Sequence, residues 1–164
     1  MVIREAVAAD HAIIAAITRA AFDDSRYDEA SIIEGVRAEG LALVELVAED
    51  DGQVVGHVLF SRMRTDPAGR RIAALGPVAV APARQRTGVG SDLCRHGIEA
   101  CRAAGMEAVV VLGHPPYYPR FGFSPEAAGK LMSPYAGSPA FMALEIEPGA
   151  LRDPLKVDYP KAFG

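Results

Sequence analysis

The most constraining stretch of this chain lies between Val78 and Leu93. A strand end, Val78-Ala79-Val80, passes through Ala81-Pro82-Ala83-Arg84-Gln85-Arg86-Thr87 into Gly88-Val89-Gly90-Ser91 and the start of a helix. A strand that turns directly into a helix leaves the first helical N–H groups unpaired, with the positive end of the helix dipole beside them. Glycine has no Cβ, so the oxygens of an anion can approach that backbone closely. Arg84 and Arg86 flank the turn and can add charge-assisted hydrogen bonds. The step therefore either holds a phosphate or pyrophosphate, or is a helix start in which glycine relieves crowding. Two phosphate motifs are excluded by the letters. A P-loop needs Lys and then Ser or Thr after its last glycine, whereas Ser91 follows Gly90 directly, and the dinucleotide fingerprint needs a third glycine where Leu93 stands.

The flanking sequence supplies a mixed α/β frame for this step. Val2-Ile3-Arg4-Glu5 reads as a first strand, followed by a helix with Asp10 as its cap and Ile14, Ile17 and Ala21 on one face. A second helix over residues 28–38 carries Ile32, Ile33 and Val36 and stops at Gly40. Residues 41–49 and 54–64 are apolar, β-branched runs joined by Asp50-Asp51-Gly52-Gln53, a hairpin signal that makes them antiparallel. The fourth strand covers residues 72–80, with a bulge or bend expected at Gly76-Pro77 because proline cannot donate to a ladder. A helix over residues 88–104 leads to Val109-Val110-Val111-Leu112, apolar enough to be a fifth strand buried on both faces. Residues 113–123 hold three prolines and a short helical turn, and 141–146 form a late strand. The packing of the tail, residues 148–164, is not specified by its sequence.

Length and charge narrow the function. At 164 residues, with half of them hydrophobic and no repeat or linker, the chain reads as one domain over residues 1–164, with a core over about 2–123. A net charge of −4 argues against a nucleic-acid partner and agrees with a cationic substrate. No run reaches the ~20 apolar residues of a membrane helix, and no secretory signal precedes the first charged residues. Cys94 and Cys101 lie seven residues apart in one helix, roughly 10 Å by helical rise, beyond the ~7 Å that a disulfide spans. They read as free core thiols, which places the chain in the cytoplasm.

Gln85-Arg86-Thr87-Gly88-Val89-Gly90, preceded by its Val-x-Val-x-Pro strand end, resembles the Gln/Arg-x-x-Gly-x-Gly/Ala signature of the GNAT (GCN5-related) N-acetyltransferase superfamily. Tyr118-Pro119-Arg120-Phe121-Gly122-Phe123 is similar to the family's Tyr-x-x-x-Gly-Phe element, and the run from Gly113 to Phe123 with Pro134-Tyr135 and Phe141-Met142 resembles its YhbS-like branch. The resemblance implies the GNAT fold: a central twisted mixed sheet flanked by helices, with the fourth and fifth strands splayed into a cleft for acetyl-CoA. It further implies that Val78, Ala79 and Val80 meet pantetheine, and that Gln85, Arg86, Thr87, Gly88, Val89, Gly90 and Ser91 form the phosphate grip. Tyr118 would be the general acid toward the departing thiolate, since a phenol stays protonated at neutral pH. Backbone N–H groups near residues 78–80 would stabilise the oxyanion. Acetyl-CoA is then a co-substrate, an amine the acceptor, and no metal is needed; a homodimer is left open.

The general base is less evident. The fourth and fifth strands carry no carboxylate, and His114 is the nearest group with suitable chemistry, with an ordered water as the alternative. His57 is read as a core residue. Acceptor specificity is assigned to the first two helices, the turn over residues 65–69 and the tail. Three other readings stay open: a non-catalytic acyl-CoA-sensing module, an acyltransferase using another acyl-CoA, and a binder of some other phosphorylated ligand.

Overall fold

Asp51 (φ +50°) and Gly52 (φ +75°) are both left-handed, as a two-residue hairpin turn requires, and they set Asp50 opposite Gln53. This hairpin joins β2 (Ala42–Asp50) to β3 (Gln53–Arg62) at the centre of the computed structural model, which describes residues 1–164. Around it stand β1 (Val2–Glu5), α1 (His11–Ala21), α2 (Glu29–Ala38), β4 (Arg64–Asp66), β5 (Ile72–Val80) and α3 (Val89–Ala103). β6 (Ala108–Leu112), β7 (Leu131–Met132), β8 (Phe141–Glu145) and β9 (Leu155–Asp158) complete the chain. The main sheet has the order β1-β2-β3-β5-β6-β8, and only β5 and β6 run parallel, connected through α3. The mixed sheet expected from the sequence is thus present.

Alternation along the strands divides the core. Leu46, Val58 and Phe60 face α3, packing against Leu93, Cys94 and Ile98. Val47 and Leu59 face the other way, toward Ile14, Ile33 and Val36 of α1 and α2. α3 lies close because Gly97 sits over the Phe60 ring, where an added Cβ would collide, and because a Cβ on Gly56 would come within 2.9 Å of Val89. Cys94 and Cys101 are free and buried, their thiols pushed up to about 12 by burial. His57 is fully buried in the α1/α2 face, where its Nε2 meets the Glu45 carboxylate at 2.8 Å. A carboxylate only accepts, so Nε2 carries the hydrogen.

β5 contains one residue more than its partner. Val78 lies opposite Val58 but Leu75 lies opposite Phe60, so three steps on β5 match two on β3, and the extra residue falls at Gly76-Pro77. Gly76 has φ +131°, a conformation that side chains other than glycine's rarely adopt. The bulge switches parity: Ala73 and Leu75 before it, and Val78 and Val80 after it, all pack on the α3 side.

Two local expectations are corrected, and the tail finds its place. Residues 54–64 are not one strand: β3 ends at Arg62, and Arg64–Asp66 leaves for a second sheet, β4-β9-β7, because Met63 turns into its core with its N–H on the Ile72 carbonyl at 2.9 Å. Asp10 does not cap α1 with its side chain. It points back, accepting from the Val7 N–H (2.8 Å) and the Arg4 guanidinium (2.8 and 3.0 Å). The tail, unassigned by sequence, inserts β9 between β4 and β7 and returns to α2, where the Glu39 carboxylate accepts from the N–H groups of Lys161 and Ala162, each at 2.9 Å.

Candidate active site

β5 keeps two neighbours only as far as Leu75. Its parallel pairing with β6 begins at Ile72 opposite Ala108 and ends at Leu75 opposite Val111, whereas pairing with β3 continues to Val80. In an antiparallel ladder, alternate residues direct their N–H and C=O toward the partner and away from it. Ala81 donates to the Val55 carbonyl at 2.8 Å, so Ala79 also faces β3, and Val78 and Val80 present their backbone to the gap left by β6. The Gln85 side-chain amide takes the Val80 carbonyl at 3.0 Å. Val78 is left as the open position on that edge.

The edge runs into the N-terminus of α3. Gly88 precedes the helix with φ +93°, and Arg86 is also left-handed at φ +62°. The first internal bond of α3 runs from the Asp92 N–H to the Gly88 carbonyl at 3.0 Å, and no backbone carbonyl takes the N–H groups of residues 86–91. No side chain caps them. Successive amides in such a turn make a concavity for an anion. Thr87 folds its hydroxyl back onto the Arg84 carbonyl at 2.5 Å, which closes the turn.

On the opposite side of the gap, the chain after β6 folds into a short 3-10 turn, Tyr118–Phe121. The Tyr118 ring stands edge-on to Phe123, with centroids 6.0 Å apart, and Gly113 gives it room, since a Cβ there would strike the ring. Burial raises the Tyr118 phenol above its ordinary value, and nearby Cys94 and Tyr117 add to the rise, so it remains a proton donor across the neutral range. Tyr117 points to α3: its hydroxyl and that of Ser91 share a hydrogen bond of 2.7 Å, and Arg120 lies over its ring at 4.1 Å. His114 is exposed at the rim, and its carbonyl accepts from the Tyr117 N–H at 3.0 Å.

These parts enclose a cleft of about 510 Å³. Leu75, Gly76, Pro77 and Val78 form one wall and Gly113, His114 and Tyr118 another. α2, the loop between β7 and β8 and the tail close the far side with Glu29, Ile32, Tyr135, Tyr159 and Phe163. No three His, Cys, Asp or Glu side chains are arranged to hold a metal ion.

The structure thus places Val78, His114 and Tyr118 on the walls of one cleft and sets Val80, Gly90 and Ser91 beside Val78 and Tyr117, and it revises the parts given to several others. Ala79 is buried with its backbone committed to β3, so it presents no group to the gap. Gln85 is occupied with Val80. Val89 has its side chain in the core and can offer only its amide. Arg84 is bound to Asp50 at 2.7 Å, a contact that holds the Asp50 carboxyl below its usual range, and Arg86 alone of the two flanking arginines is uncommitted. The turn over residues 65–69 lines no part of the cleft. Tyr117 carries no local sequence signal of a role, because its tie to Ser91 is a long-range contact. Glu29, as the first residue of α2, reads as an acid placed to suit the helix dipole.

The fold and groove together define an acyl-CoA-dependent acetyltransferase architecture, and comparison with known proteins agrees. Residues 11–123 match the Acetyltransferase (GNAT) family. The chain belongs to the GNAT acetyltransferase family. It is 32% identical over 139 residues to the uncharacterized N-acetyltransferase YhbS of Escherichia coli K12, covering 84% of this chain and 82% of YhbS. The uncharacterized N-acetyltransferase YjhQ of the same organism is 42% identical over 103 residues, but the match spans only 56% of YjhQ and 62% of this chain. Among solved structures, E. coli YhbS in complex with CoA superposes with a TM-score of 0.89 at 31% identity, over 99% of this chain and 91% of YhbS. A GNAT family acetyltransferase from Brucella melitensis in complex with acetyl-CoA gives 0.83 at 37% identity, over 99% and 97%. The YhbS-like branch expected from residues 113–142 is thereby supported.

Proposed function

We propose that residues 1–164 act as one N-acetyltransferase domain that moves an acetyl group from acetyl-CoA directly to a primary amine. The observation that carries this reading is the open β5 edge at Val78 leading into the unpaired amides of α3, with Tyr118 across the gap. Pantetheine pairs with Val78, and the pyrophosphate rests on the amides of residues 86–91, where Gly88 and Gly90 leave room and Arg86 adds charge. Gln85 positions the strand end, and Ser91 with Tyr117 holds the turn against the loop after β6. The acetyl-CoA and CoA carried by the Brucella protein and YhbS support this assignment.

In the transfer, a bond forms between the amine nitrogen and the carbonyl carbon, and the carbon–sulfur bond breaks. An ammonium acceptor loses two protons, one of which ends on sulfur. Tyr118 supplies a hydrogen bond to the developing thiolate and passes its proton to sulfur, and the first proton lost by the amine nitrogen, relayed through solvent, restores the phenol. Burial keeps the Tyr118 phenol protonated, and the same desolvation beside it raises the proton affinity of a departing thiolate, which favours the transfer. His114 takes the other proton at the rim. The buried free thiols are consistent with the reducing cytoplasm.

Titration with acetyl-CoA, free CoA and ADP, followed by thiol release across an amine panel, tests the proposal. Binding of acetyl-CoA without thiol release from any amine would favour the sensing module, and faster turnover with propionyl-CoA or succinyl-CoA would replace the donor.

A further inference from the structure

The cleft has two chemically different ends. At the β5 bulge it is apolar, lined by Leu75, Pro77 and Val78. Where it meets a neighbouring hollow stands Glu29, the only carboxylate on its walls, and no Lys or Arg lines it anywhere. Glu29, Phe22 and Tyr27 also border an adjoining outer hollow of about 270 Å³, where Asp23 and Asp28 face a single arginine, Arg19. The Ser25 hydroxyl donates to Glu29 Oε2 at 2.8 Å and fixes the carboxylate, leaving Oε1 available, while both oxygens of Asp28 are engaged by Ser31. The same walls carry Ile32, Phe163 and Tyr159, whose hydroxyl is buried without a partner. The Tyr27 ring already has a guanidinium, that of Arg26, 5.8 Å from its centroid.

An acceptor that fills this space needs a nitrogen at the bulge end, an apolar middle and a positive charge at the outer end. A carboxylate at the outer end would meet Glu29 and Asp23 with no cation on the cleft wall to receive it. We propose that the acceptor is a short α,ω-diamine, with one amine at the thioester, its alkyl chain against Ile32 and the tail aromatics, and its second, protonated amine on Glu29. This rests on the acetyl-transfer reading above and leaves the transfer step unchanged. A charge-assisted hydrogen bond together with an aromatic face favours the diamine over its monoamine by roughly tenfold in kcat/KM.

The test compares cadaverine, n-pentylamine and δ-aminovalerate, which share one chain and differ at the far end. Thiol release is measured with wild-type protein and with Glu29→Gln, and binding of each amine in the presence of CoA is measured calorimetrically. Cadaverine is expected to lead by roughly tenfold, with δ-aminovalerate last. The lead should vanish in a Glu29→Gln protein whose CoA titration shows that it is folded. Equal rates for cadaverine and n-pentylamine in the wild type, or an undiminished lead in Glu29→Gln, overturn the proposal while leaving acetyl transfer intact. Glu29-dependent binding of cadaverine without thiol release from any amine overturns acetyl transfer and sustains the diamine site. Absence of both overturns both.

Discussion

Replacing Gly88 separates what the fold needs from what the ligand needs. Its φ of +93° lies in a region that costs a residue with a Cβ about 1–2 kcal/mol, and more for a β-branched one. Nothing lies within 4 Å of the position a Cβ would take, so a substitution meets strain and no collision within the protein. In a domain of this size each kcal/mol lowers Tm by about 2–4 °C, so a cost of about 3 kcal/mol still leaves Gly88→Val folded at room temperature. The open space around that Cβ is where the proposed pyrophosphate would sit, and relief of the strain would re-aim the amides of residues 86–91. CoA affinity should therefore fall by at least about tenfold, the equivalent of 1.4 kcal/mol. Gly90→Ala is the control. Its Cβ would stand 3.6 Å from the Val80 side chain, an ordinary contact, in a helical conformation, so Tm should hold or rise by the gain of about 0.5–1 kcal/mol that alanine brings to a helix. Calorimetric titration with CoA and thermal unfolding of both variants give the four values required. An unchanged CoA isotherm for a folded Gly88→Val protein would refute the placement of the pyrophosphate on this turn.

Tyr118→Phe should bind acetyl-CoA as the wild type does and lose about 10²–10⁴-fold in kcat, because only the hydroxyl is removed; full kcat would make the tyrosine a packing residue. His114→Gln should lower kcat and alter the pH–rate profile, and an unaltered profile would transfer the base role to water. Burial alone would raise the Glu45 carboxyl, but hydrogen bonds from His57 and Arg37 outweigh it and hold the group at about 2. A depressed carboxylate contributes stability that is present above its unfolded pKa of ~4.3 and is lost as pH falls through the folded value. The difference in stability between the wild type and Glu45→Gln should therefore shrink between about pH 4 and pH 2, and a constant difference in denaturant titrations across that window would contradict the pairing.

The parts of the site legible in the sequence were those whose geometry is local. Asp51-Gly52 specified its hairpin and Gly76-Pro77 its bulge because each feature is set by the φ values those residues permit or by the donor that proline lacks. The glycine turn before α3 was readable for the same reason. Side-chain commitments were not: that Arg84 would be held by Asp50, Gln85 by Val80 and Asp10 by Arg4 depends on which elements the fold brings beside them. The acceptor wall was least visible. Glu29 carries an ordinary helix-start signal, and Tyr159 and Phe163 reach the cleft only because β9 inserts between β4 and β7 and the following turn is tied to Glu39.

The bulge in β5 makes the groove a matter of counting. With the bulge straightened and every residue kept, β5 and β3 would share one uniform register, the backbone of residue 78 would turn from the gap toward β3, and Val78 and Val80 would leave the α3 face for the other side of the sheet. Nothing would then keep the second half of β5 from continuing beside the chain that follows β6, and the two strands could close like the teeth of a zip. An uninterrupted six-stranded sheet, without a slot beside β5, is one step of register away from this molecule.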